Sequence, residues 1–397
     1  MRRLPRRGFP DSEFEHRTEQ TQRMMHQDRL DAILVMTEPE VRYYTGFLSQ
    51  FWESPTRPWF VVVPLDGRPI AVVPAIGAAG MARTWVDDVR TWSSPDLVDD
   101  GVSSLTATID SLPRRYGRIG VPMGAESQLR MPLVDFRALE AKLRNHDIVD
   151  ARDLVRRIRV VKSEHEIEKI RTVCEIASSA FEALPEKARS GDTERELCRR
   201  FKIDLLAGGA DSAPYVMGAS GPGGYDDIIM GPGDRALSDG DVMIIDTGAT
   251  FDGYYCDFDR NYAFGRVSDE VSTAYDTVYC ATQAGFEAAR PGATTSDLWR
   301  AMWRVMEAGG ALESGVGRMG HGLGMQLTEW PSNMPGDDTV LEAGMVLTLE
   351  PGMVYAPNRW MVHEENIVIR PDGPQWLSRR AWPEIPLIDL VDPGSES

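Results

Sequence analysis

Five polar residues in the second half of the chain have the types and the spacing to hold cations. The first is Asp246, which ends the apolar run Val242-Met243-Ile244-Ile245. Such a run reads as a buried strand, and a lone carboxylate at its end is costly to bury. Asp252-Gly253 then supplies a two-residue hairpin turn. With that pair at the tip, Phe251 pairs with Tyr254 and Gly248 with Asp257. Side chains alternate along a strand, so Asp246 and Asp257 point to one face as diagonal neighbours. Two carboxylates converging there repel each other unless a cation or a proton sits between them. Taken alone, the stretch fits a metal site and a solvated hairpin with incidental acids equally well.

Three more residues extend the pattern. His321 lies in Gly320-His321-Gly322-Leu323-Gly324, where the glycines let other groups approach closely. Glu350 follows the apolar run Met345–Leu349 and precedes Pro351-Gly352, and Glu364 precedes Glu365-Asn366-Ile367. Singly, a hydrogen-bonded core histidine and two surface acids explain them. Together with Asp246 and Asp257 they make four carboxylates and one imidazole. That oxygen-rich set suits two hard or borderline divalent ions such as Mn²⁺, Fe²⁺, Co²⁺ or Zn²⁺.

The rest of the chain must position these groups. Its 397 residues suffice for two domains, and 42% hydrophobic with 26% charged residues is ordinary for a globular protein. A net charge of −18 argues against non-specific nucleic-acid binding. No apolar run approaches the roughly 18 residues of a membrane span. The basic residues at the start lack the apolar stretch of a signal peptide, and the four cysteines have neither metal-ligand spacing nor scaffold density. A cytoplasmic protein that engages neither membrane nor nucleic acid is the simplest expectation.

Residues 12–28 read as a helix and Ala32–Met36 as a buried strand, after which Pro39 and Glu40 interrupt and Val41–Phe47 follows. An aromatic loop, 50–59, leads into strands Trp59–Pro64 and Pro69–Val73. Helices over 103–112 and 132–144, with strands Arg118–Val121 and Asp147–Val149, complete an α/β pattern over residues 1–157. The stretch from Arg156 to Ser163 shows no strong periodicity, and the boundary falls near 157. In residues 158–397, Ser163/Glu166 and Thr193/Glu196 are capping boxes that open helices. Gly218–Gly233 reads as a loop. Helices over 267–289 and 295–310 follow, then strands around His321–Leu327, Val346–Leu349 and Ile367–Arg370.

Several of these stretches resemble the pita-bread metallohydrolases: prolidase, aminopeptidase P, methionine aminopeptidase, creatinase and ectoine hydrolase. The stretches Leu30–Val35 and Val41–Phe47 resemble the amino-terminal domain of prolidase, aminopeptidase P and creatinase, and Arg159–Ile167 resembles the start of the catalytic domain. The segments Ile245–Ala249 with Asp257, Gly320–Gly324, Leu349–Gly352 and Val362–Ile369 resemble the five-ligand pattern. The resemblance implies an α+β protein with a creatinase-like α/β domain before a pita-bread catalytic domain. It makes Asp246, Asp257, His321, Glu350 and Glu364 ligands of two metals, with Asp257 and Glu364 bridging and Glu365 off the site. It also implies a homodimer, in which an aromatic loop bearing Phe51 and Trp52 serves the partner's active site.

The departures narrow the chemistry. Peptidase members carry two histidines where this chain has Ile229 and Thr328, and an arginine where it has Val362. Asp259 stands where a threonine is usual, directly across the hairpin from Asp246, as an acid that supports the ligands from outside or is salt-bridged to Arg260, or as an extra ligand. His363, Glu329 and Trp330 are candidates for proton transfer or substrate contact. The leading expectation is hydrolysis of a C–N bond in a small amide or amidine, closer to ectoine hydrolase and creatinase, with Glu350 or Glu364 accepting a proton from water. An Xaa-Pro dipeptidase or aminopeptidase proper, a lyase acting on dimethylsulfoniopropionate, and a non-catalytic binding protein are the alternatives. Intact ligands weigh against the last, because unpaired buried carboxylates are hard to keep.

Overall fold

The apolar runs of the first half become neighbouring strands of one mixed sheet. In the computed structural model, which describes residues 4–54, 57–97, 99–312 and 317–390, its strands lie in the order Asp88–Trp92, Ile70–Pro74, Phe60–Pro64, Ala32–Val35, Arg118–Val121, Asp147–Asp150. The three strands Ala32–Val35, Phe60–Pro64 and Ile70–Pro74 are buried at every position, as apolar strands covered on both faces are. Leu105, Ile109 and Leu139, from the helices Val102–Asp110 and Leu133–Lys142, share one core with Leu34, Phe60 and Val62. These elements belong to a unit spanning Arg7–Arg159; the chain from Val160 onward, with the residues up to Arg6, forms a second unit.

Two segments of the first unit differ from expectation. Val41–Phe47 is not extended: Glu38–Thr45 is a helix, opened by a Thr37/Glu40 capping box with a proline in its first turn. Pro39 therefore starts an element rather than interrupting one. Arg152–Val160 is also helical, and it buries Leu154, Val155 and Ile158. Its apolar stripe begins before Arg156, so a reading that starts there sees mainly arginines.

In the second unit, four long helices (Glu164–Ala183, Glu194–Gly208, Asp269–Ala288, Thr295–Ala308) accompany two larger sheets. One sheet runs Leu387–Ile388, Phe258–Phe264, Asp241–Phe251, Ser212–Pro222. The other runs Glu329–Ser332, His321–Gly322, Val346–Leu349, Glu365–Arg370, Gly373–Trp376. The expected loop at Gly218 instead begins inside the strand Ser212–Pro222, which pairs along Asp241–Phe251. Gly218 serves packing there, since a Cβ would lie 2.5 Å from Cys198 Sγ. The strand at His321 is shorter than expected, ending at Gly322, and the hairpin of Gly352–Ala356 with Arg359–Val362 is an addition.

The core explains where the site lies. Val242 and Ile244 pack in one cluster with Leu347, Leu349 and Ile367 of the other sheet. Asp246 continues the row of Val242 and Ile244, and Asp257 lies two residues before Asp259, its cross-strand partner. The same strand faces are thus apolar toward one end and carboxylate-bearing toward the other.

Candidate metal centre

The hairpin that carries the two aspartates is fixed at its tip. Asp252 (φ 51°) and Gly253 (φ 79°) are both left-handed, the geometry of a two-residue type I′ turn. Lys169 Nζ lies 3.2 Å from Asp252 Oδ2, both side chains almost fully buried, and Tyr254 OH donates to Glu166 at 3.0 Å. Phe251 pairs with Tyr254, and Asp246 with Asp259. Near the other end, Asn366 accepts the Asp257 N–H at 3.0 Å and returns a bond from Nδ2 to the Asp257 carbonyl. Asn366 follows Glu364 by two residues, so this exchange sets the segment bearing Glu364 against the one bearing Asp257.

His321 is held by its backbone and by its ring. Its N–H donates to Thr348 Oγ1 at 3.1 Å. Gly320 before it (φ 114°) must lack a side chain, because a Cβ would lie 2.2 Å from the Thr348 carbonyl. Nδ1 lies 2.9 Å from the Gly322 carbonyl, which can only accept, so Nδ1 carries the proton and Nε2 the lone pair. Burial, then the charge of Arg318, lowers the imidazole pKa to about 4, so the ring is neutral near pH 7. Nε2 faces Asp257 Oδ2 at 3.4 Å. Two acceptor atoms therefore confront each other, the arrangement a cation would resolve.

Glu364 completes a trio. It is 2% exposed, and Asp257, His321 and Glu364 each present one ligand atom, all within 4.8 Å of one another. Asp246 and Glu350 are only partly buried. Desolvation raises Asp246 to about 6, against a lowering hydrogen bond from Tyr215. Desolvation and then the charge of Asp246 raise Glu350 to about 8. Burial foremost, and neighbouring carboxylates next, hold Asp257 and Glu364 well above the usual range. Asp246 Oδ1, Asp259 Oδ1 and Glu364 Oε1 are buried without a hydrogen-bond partner. Each such atom costs about 1–3 kcal/mol if left unsatisfied. Orphaned carboxylate oxygens beside a neutral imidazole lone pair fit a divalent cation on chemical grounds.

The adjacent residues turn elsewhere. Glu365 pairs with Arg260 at 3.1 Å, accepts the Ser378 hydroxyl, and takes the Ala381 N–H at 2.9 Å. His363 lies against Tyr275 and Tyr279, with Nδ1 at 3.3 Å from Thr282 Oγ1. Among the described contacts of His363 none is with Asp246, Asp257, His321 or Glu350. Glu329 is bound to Lys162 at 3.0 Å, with both side chains buried. Its carboxylate abuts Gly324, where a Cβ would lie 2.7 Å from Oε1; it therefore braces the glycine segment after His321. Trp330 packs against the core of the second unit. Phe51 and Trp52 belong to the first unit, in a short 3₁₀ turn where Arg57 covers Phe51 at 5.2 Å and Arg130 covers Trp52 at 4.9 Å. Pro55 and Thr56 of the same loop lie outside the described residues.

Two residues escaped the sequence reading. Tyr215, on the strand beside that of Asp246, lies near enough to lower the aspartate's pKa, and alternation along Ser212–Pro222 would have found it. Arg318 donates to Thr328 Oγ1 at 3.2 Å and to Ser332 Oγ at 3.5 Å. Its charge lowers the pKa values of Asp257 and Glu350, and among the described residues no carboxylate lies within ion-pair distance of it. A lone arginine three residues before His321 was the available signal. Thr328 thus holds a guanidinium. Ile229 is 79% exposed.

Known proteins resemble both units of the chain. Residues 168–371 match the model of metallopeptidase family M24, and residues 17–161 match the creatinase/prolidase N-terminal domain. The chain is 30% identical over 352 residues to a probable dipeptidase PepE of Mycobacterium bovis, covering 86% of this chain and 87% of that one. It is 31% identical over 365 residues to an Xaa-Pro dipeptidase of Pyrococcus horikoshii, covering 89% and 94%. The crystal structure of dipeptidase PepE from Mycobacterium ulcerans superposes with a TM-score of 0.83 at 26% identity, covering 96% and 99%. The prolidase structure from Thermococcus sibiricus shares the fold, with a TM-score of 0.84 at 24% identity over 96% and 100% of the two chains. The chain is a hydrolase of metallopeptidase family M24, with a creatinase-like amino-terminal domain and a pita-bread catalytic domain.

Proposed function

We propose that this hydrolase cleaves the amide C–N bond of a dipeptide-sized substrate at two divalent cations held by Asp246, Asp257, His321, Glu350 and Glu364. The observation that carries the reading is the trio Asp257, His321 and Glu364, with acceptor facing acceptor at 3.4 Å and Glu364 Oε1 orphaned. Bound Mn²⁺, Fe²⁺, Co²⁺ or Zn²⁺ would acidify water and polarise the scissile carbonyl. Glu350, half-buried and among the carboxylates, receives the proton that leaves the water; Glu364, sealed from solvent, holds its place in the ligand set. Arg318 offers its guanidinium to a substrate carboxylate. Relatives named dipeptidase and Xaa-Pro dipeptidase support a peptide substrate. A homodimer, with the Phe51-Trp52 loop serving the partner's site, and cytoplasmic residence belong to the same reading; among the described residues no helix is long and apolar enough to cross a membrane.

A second reading has its own observation. Ile229 and Thr328 remove two histidines associated with peptidases, and Thr328 is bonded to Arg318. This favours a small zwitterionic amide or amidine of the ectoine type. Product analysis of metal-loaded protein with Gly-Pro, ectoine and dimethylsulfoniopropionate separates the two. Gly-Pro turnover at roughly 1–1000 per second supports the dipeptide and sinks the second reading. Ring opening of ectoine without Gly-Pro cleavage does the reverse. Elimination from dimethylsulfoniopropionate alone overturns both.

A further inference from the structure

Asp259 has no part in the chemistry above, yet it is built into the same face. It stands directly across the hairpin from Asp246 and is 2% exposed. The Glu364 N–H lies near enough to stabilise the charged form of Asp259, while Oδ1 is buried with no partner. The cation next to it in sequence is engaged elsewhere. Arg260 pairs with Glu365 at 3.1 Å, bonds the Glu364 and Arg379 carbonyls, and lies over Phe258. It bonds Asp259 only through the backbone carbonyl, so the salt bridge expected from sequence is absent.

Asp246 Oδ1 is orphaned as well. Directly opposed residues of an antiparallel pair have Cβ atoms about 4.5–5.5 Å apart. Two carboxylates with buried oxygens at that spacing keep both charges only with a cation between them. A threonine in this position would leave Asp246 alone.

We propose that Asp259 is a metal ligand, its Oδ1 giving a further oxygen to the cation held by Asp246. The proposal rests on the metal-centre reading above. The hairpin then contributes three carboxylates, and the enlarged oxygen set favours six-coordinate Mn²⁺ over tetrahedral Zn²⁺.

The test titrates metal-free wild type, Asp259→Asn, Asp259→Thr and His321→Ala with Mn²⁺ by calorimetry and with Co²⁺ by visible absorption. Asp259→Asn keeps the shape and one side-chain oxygen while removing the charge. Both Asp259 variants relieve repulsion, so without metal they melt no lower than wild type and remain measurable. The expected result is more than about 100-fold weaker binding of one Mn²⁺, beyond the loss of an outer hydrogen-bonding partner, with an altered Co²⁺ d–d band in both variants. A Co²⁺ band unchanged from wild type overturns the role of Asp259, whatever the affinity. Wild type that binds neither ion overturns the metal centre itself, and this proposal with it.

Discussion

Glu364 and Glu365 are neighbours in sequence, equally buried, and opposite in circumstance. Glu365 has an arginine, a hydroxyl and a backbone N–H around it. Glu364 has an orphaned oxygen and the company of Asp257 and His321. Strand alternation assigns them to different faces, and each face treats charge differently. One compensates its carboxylate within the protein. The other leaves its carboxylates uncompensated, which a fold retains where a ligand supplies the missing charge.

The contrast is open to attack from both sides. Glu364→Ala should lower kcat/KM about 10⁴-fold, several kcal/mol of transition-state stabilisation at 1.36 kcal/mol per tenfold. Its metal-free melting temperature should not fall. Glu365→Ala should do the opposite. Leaving Arg260 buried and unpaired costs about 3–5 kcal/mol of stability, while the Mn²⁺ stoichiometry by calorimetry stays at the wild-type value. Activity loss with intact stability in Glu365→Ala would erase the distinction.

Acidity sharpens it further. In the metal-free protein Asp246 titrates at about 6 and Glu350 at about 8, each above its ordinary value. The folded state therefore binds these protons more tightly than the unfolded chain. Their contribution is complete below about pH 4 and is lost as pH rises through 6 and then 8. Thermal melts between pH 5 and 9 should fall steadily without metal, and saturating Mn²⁺ should flatten the trend. The smallest effect belongs to His363→Asn. Removing a ring packed against Tyr275, Tyr279 and Thr282 should cost about 1–2 kcal/mol in denaturant melts, with kcat/KM within about threefold of wild type. A larger loss of activity would restore His363 to the chemistry.

The hairpin was legible because everything that defines it is local. A two-residue turn and an apolar run fix the register, and the register fixes which acids share a face. Whether Glu364 or Glu365 joins them was not local. Alternation separates the pair without saying which face is inward, and only the resemblance of the Asn366-Ile367 tail decided it. Arg318 and Tyr215 were missed for a related reason. Each matters through a side chain remote in sequence or on a neighbouring strand; Arg318 belongs to no repeating pattern, and the strand whose alternation would place Tyr215 was not read. Pro39 and Arg156 misled because a breaker residue and an arginine run both occur at the edges of helices.

The reciprocal bonds of Asn366 with Asp257 have a consequence for how the protein matures. They join positions 109 residues apart, whereas the hairpin closes over its own turn. Contacts of long sequence separation carry the greater loop-closure cost and form late. The two aspartates are thus arranged on the growing chain well before Glu364 exists to meet them. A cation held by these groups would be captured only once the strand Glu365–Arg370 has docked, so metal content would report that this late contact has formed.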